Sequence, residues 1–97
     1  MSKPKKLKIL GLIVPIKYKD LSGEDYVGTY DRINKNIELH SKMKLNEFMP
    51  ALLHEFGHAL FDRSGLRQGV ESDLEEVIVE NFANALCENF NIRPKSK

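Results

Sequence analysis

The stretch LLHEFGH contains two histidines four residues apart, His54 and His58, and Glu55 directly follows the first. In an α-helix four residues turn by about 400°, so the two imidazoles would lie one turn apart on one face. Two imidazoles placed in this way can bind one metal ion, and zinc is the usual metal at such a pair. Glu55 is rotated by about 100° from His54, so it is poorly placed as a ligand but can reach a water molecule beside the ion. The motif therefore predicts two zinc ligands and a general base.

The residues around this motif predict an amphipathic helix. Asn46 is a suitable N-cap, which would place Pro50 in the first turn, and Gly65 supplies a stop. Gly57 leaves room for another segment to approach the site closely. Because unpartnered imidazoles would be costly in so apolar a stretch, the context favours a metal site over two accidental histidines. The apolar residues recur at three- and four-residue steps: Phe48, Leu52, Leu53, Phe56, Leu60 and Phe61.

A second helix is predicted from Ser72 or Asp73 to a point before Pro94, and its carboxylates can complete the site. Zinc needs a third protein ligand and, in a catalytic site, one position left for water. No histidine follows His58, and the only cysteine, Cys87, lies far along the helix. From the residues alone, the third ligand stays open among the carboxylates of this helix: Glu75, Glu76 and Glu80.

The N-terminal half of the chain predicts β-strands. The run LKILGLIVPIKYK is rich in Ile, Leu and Val and predicts one strand, bent at Gly11 or Pro15. Further along, Tyr26–Tyr30 and Ile37–His40 predict a hairpin with a turn over Asp31–Asn36, because apolar and polar residues alternate in its second strand. Strands followed by two helices predict an α+β fold, with a small three-stranded sheet and two packed helices.

Composition sets limits on size, partners and location. The length of 97 residues predicts a single domain over 1–97, with flexible tails at 1–6 and 93–97. The 15 basic and 14 acidic residues leave a net charge of +1, which gives no general attraction to nucleic acid or to an anionic membrane. A single cysteine, Cys87, excludes an internal disulfide and suits a reducing, cytoplasmic location. The apolar run Ile9–Ile16 is too short for a signal peptide or a membrane span.

The motif HEFGH followed by a glutamate-bearing helix resembles the zincin metallopeptidases in their gluzincin arrangement. The layout from LGLIVPIKYKD through VGTYDRINKNIELH to HEFGHALFDRSGL and EEVIVENFANAL is similar to small zincin-like proteins encoded by phages and prophages. In gluzincins the third ligand is a glutamate, and an acidic or amide residue four positions later supports a zinc-binding histidine. The resemblance implies Glu76 as the ligand and Glu80 as the support. Shifted by one turn, it implies Glu80 as the ligand and Asn84 as the support.

This resemblance implies a zinc-dependent metallopeptidase that binds one Zn²⁺ per chain through His54, His58 and Glu76. Glu55 would take a proton from the zinc-activated water that attacks a peptide bond of a protein substrate. The substrate would pair antiparallel with an exposed sheet edge, for which the strand Ile37–His40 is expected.

Larger gluzincins take oxyanion-stabilising residues from a domain after the glutamate helix, and the residues after this helix here supply no such domain. The candidates for that role are therefore Tyr18, Tyr26, Tyr30 and His40. The alternative function is a non-catalytic, zinc-stabilised binding module for a host or phage protein. A DNA-binding regulator has only the basic ends of the chain in its favour. The expected partner is a peptide or protein, with neither nucleic acid nor membrane involved.

Overall fold

A mixed sheet followed by two long helices builds the fold in the computed structural model, which describes residues 3–95. The α+β class predicted from the sequence is confirmed. Within residues 3–95 the sheet has four strands instead of the three predicted. The strands are β1 (Lys6–Ile9), β2 (Leu12–Lys19), β3 (Gly28–Asp31) and β4 (Asn36–His40), and the helices are α1 (Leu45–Ser64), a short 3₁₀ helix (Leu66–Gln68) and α2 (Ser72–Asn89).

The additional strand comes from the first apolar run, which forms a hairpin instead of one bent strand. Leu10 and Gly11 form the turn between β1 and β2, and both have positive φ angles, 49° and 88°. Positive φ at both central positions is the geometry of the tightest hairpin turns, which usually contain Asn-Gly or Asp-Gly. Leucine rarely adopts this conformation, so the sequence gives no turn signal here. Pro15 does not interrupt β2, where it lies opposite Lys6 of β1.

The strand order β1-β2-β4-β3 places β4 inside the sheet. Strand β4 pairs in parallel with β2 and antiparallel with β3. The predicted hairpin is confirmed, but the prediction that Ile37–His40 offers a free sheet edge is wrong. Ile37 and Leu39 are completely buried, and a strand between two neighbours buries such residues best. Strand β3 therefore forms the sheet edge on this side.

One face of the sheet packs on α1 and forms the core. The buried residues of α1 are Phe48, Leu52, Glu55 and Ala59, spaced by three or four positions, so Glu55 lies in the apolar stripe that faces the sheet. The sheet supplies Ile9, Val14, Ile16, Ile37 and Leu39. Since Glu55 follows His54 directly, the histidine motif lies at the border of the core.

Helix α1 begins two residues earlier than predicted. Lys44 is the N-cap, and the carboxylate of Glu47 accepts its backbone N–H at 3.3 Å. Asn46 is therefore inside the helix, and Pro50 lies in the second turn instead of the first. The predicted stop at Gly65 is confirmed: this residue has a φ of 84° and ends the helix in the left-handed conformation.

Helix α2 packs against α1 through a narrow face. Its buried residues are Glu75, Val79 and Ala83, whereas Phe82 is 65% exposed. A Cβ atom added at Gly57 of α1 would lie 2.9 Å from a methyl carbon of Val79. The glycine therefore permits the close approach that was expected beside the histidine motif.

Of the tails predicted at 1–6 and 93–97, residues 1–2 and 96–97 lie outside the described residues. Within the first, Lys6 begins β1. Between residues 3 and 95, neither long helix has the apolar stretch needed to cross a membrane.

Candidate metal centre

Three side-chain atoms from two helices converge on one point. The Nε2 atoms of His54 and His58 are 3.2 Å apart. Of the two Glu76 oxygens, Oε2 lies 3.1 Å from the first nitrogen and Oε1 lies 3.0 Å from the second. Zinc–nitrogen bonds of about 2.0–2.1 Å place the ligand atoms of a tetrahedral site about 3.3–3.4 Å apart. The observed separations differ from that spacing by a few tenths of an ångström. These three residues could therefore hold a metal ion of the size of zinc.

The fold produces this convergence through the contact between α1 and α2. Helix α1 places His54 and His58 one turn apart, with side chains that are each 18% exposed. Helix α2 brings Glu76 from the other side of the contact, with its side chain 56% exposed. Because Gly57 lies between the histidines and carries no side chain, Val79 can pack directly against the α1 backbone. The three donors therefore meet at the rim of the helix pair.

Two further carboxylates of α2 contact the other nitrogen of each imidazole. A Glu75 oxygen lies 2.7 Å from Nδ1 of His58, and a Glu80 oxygen lies 2.8 Å from Nδ1 of His54. When Nε2 of a neutral imidazole binds a metal ion, the ring proton is on Nδ1, and these two carboxylates are placed to accept it. Asn84 in turn donates to Glu80 at 3.3 Å.

The structure places the predicted carboxylates in distinct positions. Glu76 lies at the two Nε2 atoms, and Glu80 lies at Nδ1 of His54, as in the first of the two assignments that the resemblance implies. The role of Glu75 was missed, because it was considered only as a possible ligand. It is 3% exposed, and a glutamate in the middle of an apolar helix face must be paired. That position was the sequence signal for a carboxylate bonded to a buried partner.

Glu55 lies beside the point of convergence but not among its three atoms. The residue is 7% exposed, and burial raises the pKa of its carboxyl to about 7. It lies beneath the edge strand: a Cβ atom at Gly28 of β3 would be 3.2 Å from the Glu55 Cγ and 3.3 Å from an oxygen. A glycine inside a strand often marks such a close approach. The glycine in the sequence VGTY was therefore the feature from which this contact could have been inferred.

A cleft opens over the three donors between β3 and the helices. Gly28 and Tyr30 line it on the sheet side, and Arg67 lines it from the short 3₁₀ helix. A second groove continues from Gly28 in the opposite direction, past Val27 and Pro50. Both hollows contain His54 and Glu55, so together they form one path across the candidate centre.

Only some of the predicted oxyanion donors lie in this path. Tyr30 lines the cleft, but its hydroxyl donates to Asp62 at 2.7 Å, and Asp62 also binds the Lys35 ammonium at 2.7 Å. Tyr26 lines the second groove. Tyr18 donates to a backbone carbonyl near the N-terminus, and His40 accepts a backbone N–H at 2.9 Å.

Arg67 was missed in the sequence as a residue of the cleft. It follows the helix stop at Gly65 by two residues, and the left-handed glycine turns the chain back toward the histidines. No local pattern of residue types predicts that Arg67 lies beside the histidines, because its position depends on how the 3₁₀ helix joins α1 to α2.

Comparisons of the chain with protein-family models, with curated proteins and with solved structures found no match. The assignment of a function therefore depends on the geometry of these residues.

Proposed function

We propose that the chain is a zinc-dependent metallopeptidase of minimal zincin-like form, which hydrolyses a peptide bond in a protein substrate. The observation that carries this proposal is the combination of three converging donors with a buried carboxylate beside them and an open cleft above. Structural zinc sites are closed by four protein ligands, whereas catalytic sites have three and keep one position open. His54, His58 and Glu76 match the catalytic pattern.

In this proposal these three side chains would hold Zn²⁺, which would supply Lewis acidity for the peptide carbonyl and for the attacking water. Glu55 accepts the proton of that water and delivers it to the amine nitrogen that leaves. In the metal-free chain burial raises the pKa of the Glu55 carboxyl to about 7, and a bound Zn²⁺ would favour the carboxylate form that accepts the proton. Glu75 and Glu80 hold the two imidazole rings in orientation through their Nδ1 protons.

The free edge of strand β3 favours an extended peptide as the substrate. The His40 N–H donates to the Val27 carbonyl at 2.8 Å, and hydrogen-bonding directions alternate along an antiparallel pair. The peptide groups of Gly28 and Tyr30 therefore point away from β4, toward the free edge. An extended peptide can pair with them, which would bring its carbonyl over the point where the three donors converge.

The test compares wild-type protein with Glu55→Gln, which preserves the shape of the side chain but removes its ability to accept a proton as a carboxylate. Both proteins are loaded with zinc, the metal content is measured by mass spectrometry, and cleavage of a peptide mixture is followed. We expect one zinc per chain in both and hydrolysis only in the wild type. Glu24→Gln, in an exposed loop, is the matched control.

Two results would contradict the proposal. Loss of zinc in Glu55→Gln would mean that this residue is a ligand and not a base. Zinc binding without hydrolysis of any peptide by the wild type would favour the alternative, a zinc-stabilised binding module.

A further inference from the structure

Arg67 lines the cleft but takes no part in the proposed chemistry. Its guanidinium lies 4.0 Å from the buried Glu75 carboxylate, which is beyond hydrogen-bond distance, and its charge also acts on Asp62. The same Glu75 oxygen lies 2.7 Å from Nδ1 of His58, within hydrogen-bond distance. The Arg67 side chain is 35% exposed, so its donors remain accessible from the cleft. Arg67 is thus held near the site by its charge, and its hydrogen-bond donors remain free to bind a ligand.

The other charged groups of the cleft have different tasks. Glu76 converges with the histidines, and Glu55 lies buried beneath Gly28. Among the residues that line the cleft, Arg67 is the one with a permanent positive charge on its side chain. A guanidinium can bind both oxygens of a carboxylate through two parallel hydrogen bonds. The group that it is best suited to recognise is therefore an acidic side chain of the substrate.

The direction of the edge strand gives the position of that side chain. Gly28 lies over Glu55, where the scissile bond would be, and β3 continues from there to Tyr30 on the side of Arg67. In the opposite direction lies the groove that contains Val27. A peptide antiparallel to β3 runs from the Tyr30 end to the Val27 end. Residues that precede the scissile bond therefore lie beside Arg67.

We propose that Arg67 is a specificity-determining residue, which binds an aspartate or glutamate of the substrate on the amino-terminal side of the scissile bond. This inference rests on the proposed peptidase function. It differs from a purely structural role of Arg67, because pairing with Glu75 alone would affect all substrates equally.

The test uses peptides that differ only in having Asp or Glu, Asn or Gln, or Lys at successive positions around the bond. Cleavage ratios are measured with zinc-loaded wild type, and dissociation constants are measured by fluorescence anisotropy with zinc-loaded Glu55→Gln. We expect acidic peptides to be favoured over their amide counterparts by about tenfold or more. Arg67→Gln should abolish this preference, and Arg67→Glu should shift it toward Lys. Arg93→Gln, at an exposed position beyond α2, is the control, because it changes the net charge by the same amount as Arg67→Gln.

The outcomes separate the inference from the function on which it rests. Cleavage without acidic preference, a preference that survives Arg67→Gln, or a preference on the carboxyl-terminal side would each overturn the role of Arg67 while leaving a peptidase. An equal loss for all peptides in Arg67→Gln would show a structural role and would also overturn it. Binding of acidic peptides that depends on Arg67, without any cleavage, would support the recognition and contradict the peptidase.

Discussion

The three carboxylates of α2 that contact the imidazoles should contribute unequally to zinc binding when each is replaced by alanine. Glu76 contacts both Nε2 atoms, at 3.0 and 3.1 Å, so Glu76→Ala deletes a ligand atom and should remove most of the zinc affinity. Glu75 and Glu80 each contact one Nδ1, at 2.7 and 2.8 Å. Loss of such a partner weakens metal binding about 10–100-fold.

Burial should separate Glu75 from Glu80 within that range. The Glu75 side chain is 4% exposed, whereas that of Glu80 is 55% exposed. After Glu80→Ala, water can take the place of the carboxylate at Nδ1 of His54. After Glu75→Ala, the N–H of His58 would lose a partner at a buried position. We therefore expect a loss of about 100-fold for Glu75→Ala and about tenfold for Glu80→Ala, a difference of about 1.4 kcal/mol.

The assay is a competitive zinc titration against a chromophoric chelator, with far-ultraviolet circular dichroism to establish that each variant is folded. Glu88→Ala, an exposed position on the same helix, should leave the affinity unchanged. If Glu80→Ala empties the site while Glu76→Ala leaves it filled, the ligand lies one turn further along α2 and Asn84 is the support. Equal losses from Glu75→Ala and Glu80→Ala would refute the argument from burial.

Three further predictions concern the packing and charge around the site. Gly28→Ala should keep zinc but lower peptide hydrolysis by about tenfold or more in a kinetic assay. The added carbon would lie 2.8 Å from a methyl group of the buried Leu39 and 3.2 Å from the Glu55 Cγ, so the strand must shift relative to Glu55. Unchanged turnover would show that the position of Glu55 does not depend on this contact. Gly57→Ala should destabilise the fold by about 1–3 kcal/mol in urea titrations, because its Cβ would be 2.9 Å from a methyl group of Val79 on α2. A melting temperature above that of the wild type would contradict this prediction. The Lys35 hydrogen bond lowers the pKa of Asp62, so its contribution to stability is present at neutral pH and lost as pH falls through that lowered pKa. In metal-free protein, Asp62→Asn should therefore be less stable than wild type at pH about 7 and equal to it in strong acid, and a difference that persists in acid would refute the charge argument.

The elements with strong periodicity could be predicted from the sequence. The apolar steps of α1 and the alternation in β4 each follow from burial of one face, and Gly65 ends α1 because it can adopt a positive φ. The turn at Leu10 could not be predicted, since leucine is unusual in that conformation. The position of β4 inside the sheet was also missed, because the alternation of Ile37 and Leu39 does not show which neighbours a strand pairs with.

In the candidate site, too, some features could be predicted from neighbouring residues and others depend on how distant segments pack. The spacing of His54 and His58 is local, and the structure brings their Nε2 atoms to within 3.2 Å. The choice among the carboxylates of α2 depends on the rotation of that helix against α1. Its buried face runs through Glu75 and Val79, and not through the apolar residues around Phe82. Composition alone does not give this rotation, because an apolar residue can remain exposed when a paired carboxylate takes the buried position.

Anomalous X-ray diffraction at the zinc absorption edge, on crystals of the zinc-loaded protein, tests the central claim most directly. The account predicts one anomalous peak per chain, about 2.0–2.1 Å from the Nε2 atoms of His54 and His58 and at a similar distance from a Glu76 oxygen. It also predicts that Glu55 lies near the peak without touching it. A peak bonded to Glu80 in place of Glu76, a peak with four protein ligands, or the absence of any peak at the two histidines would contradict it.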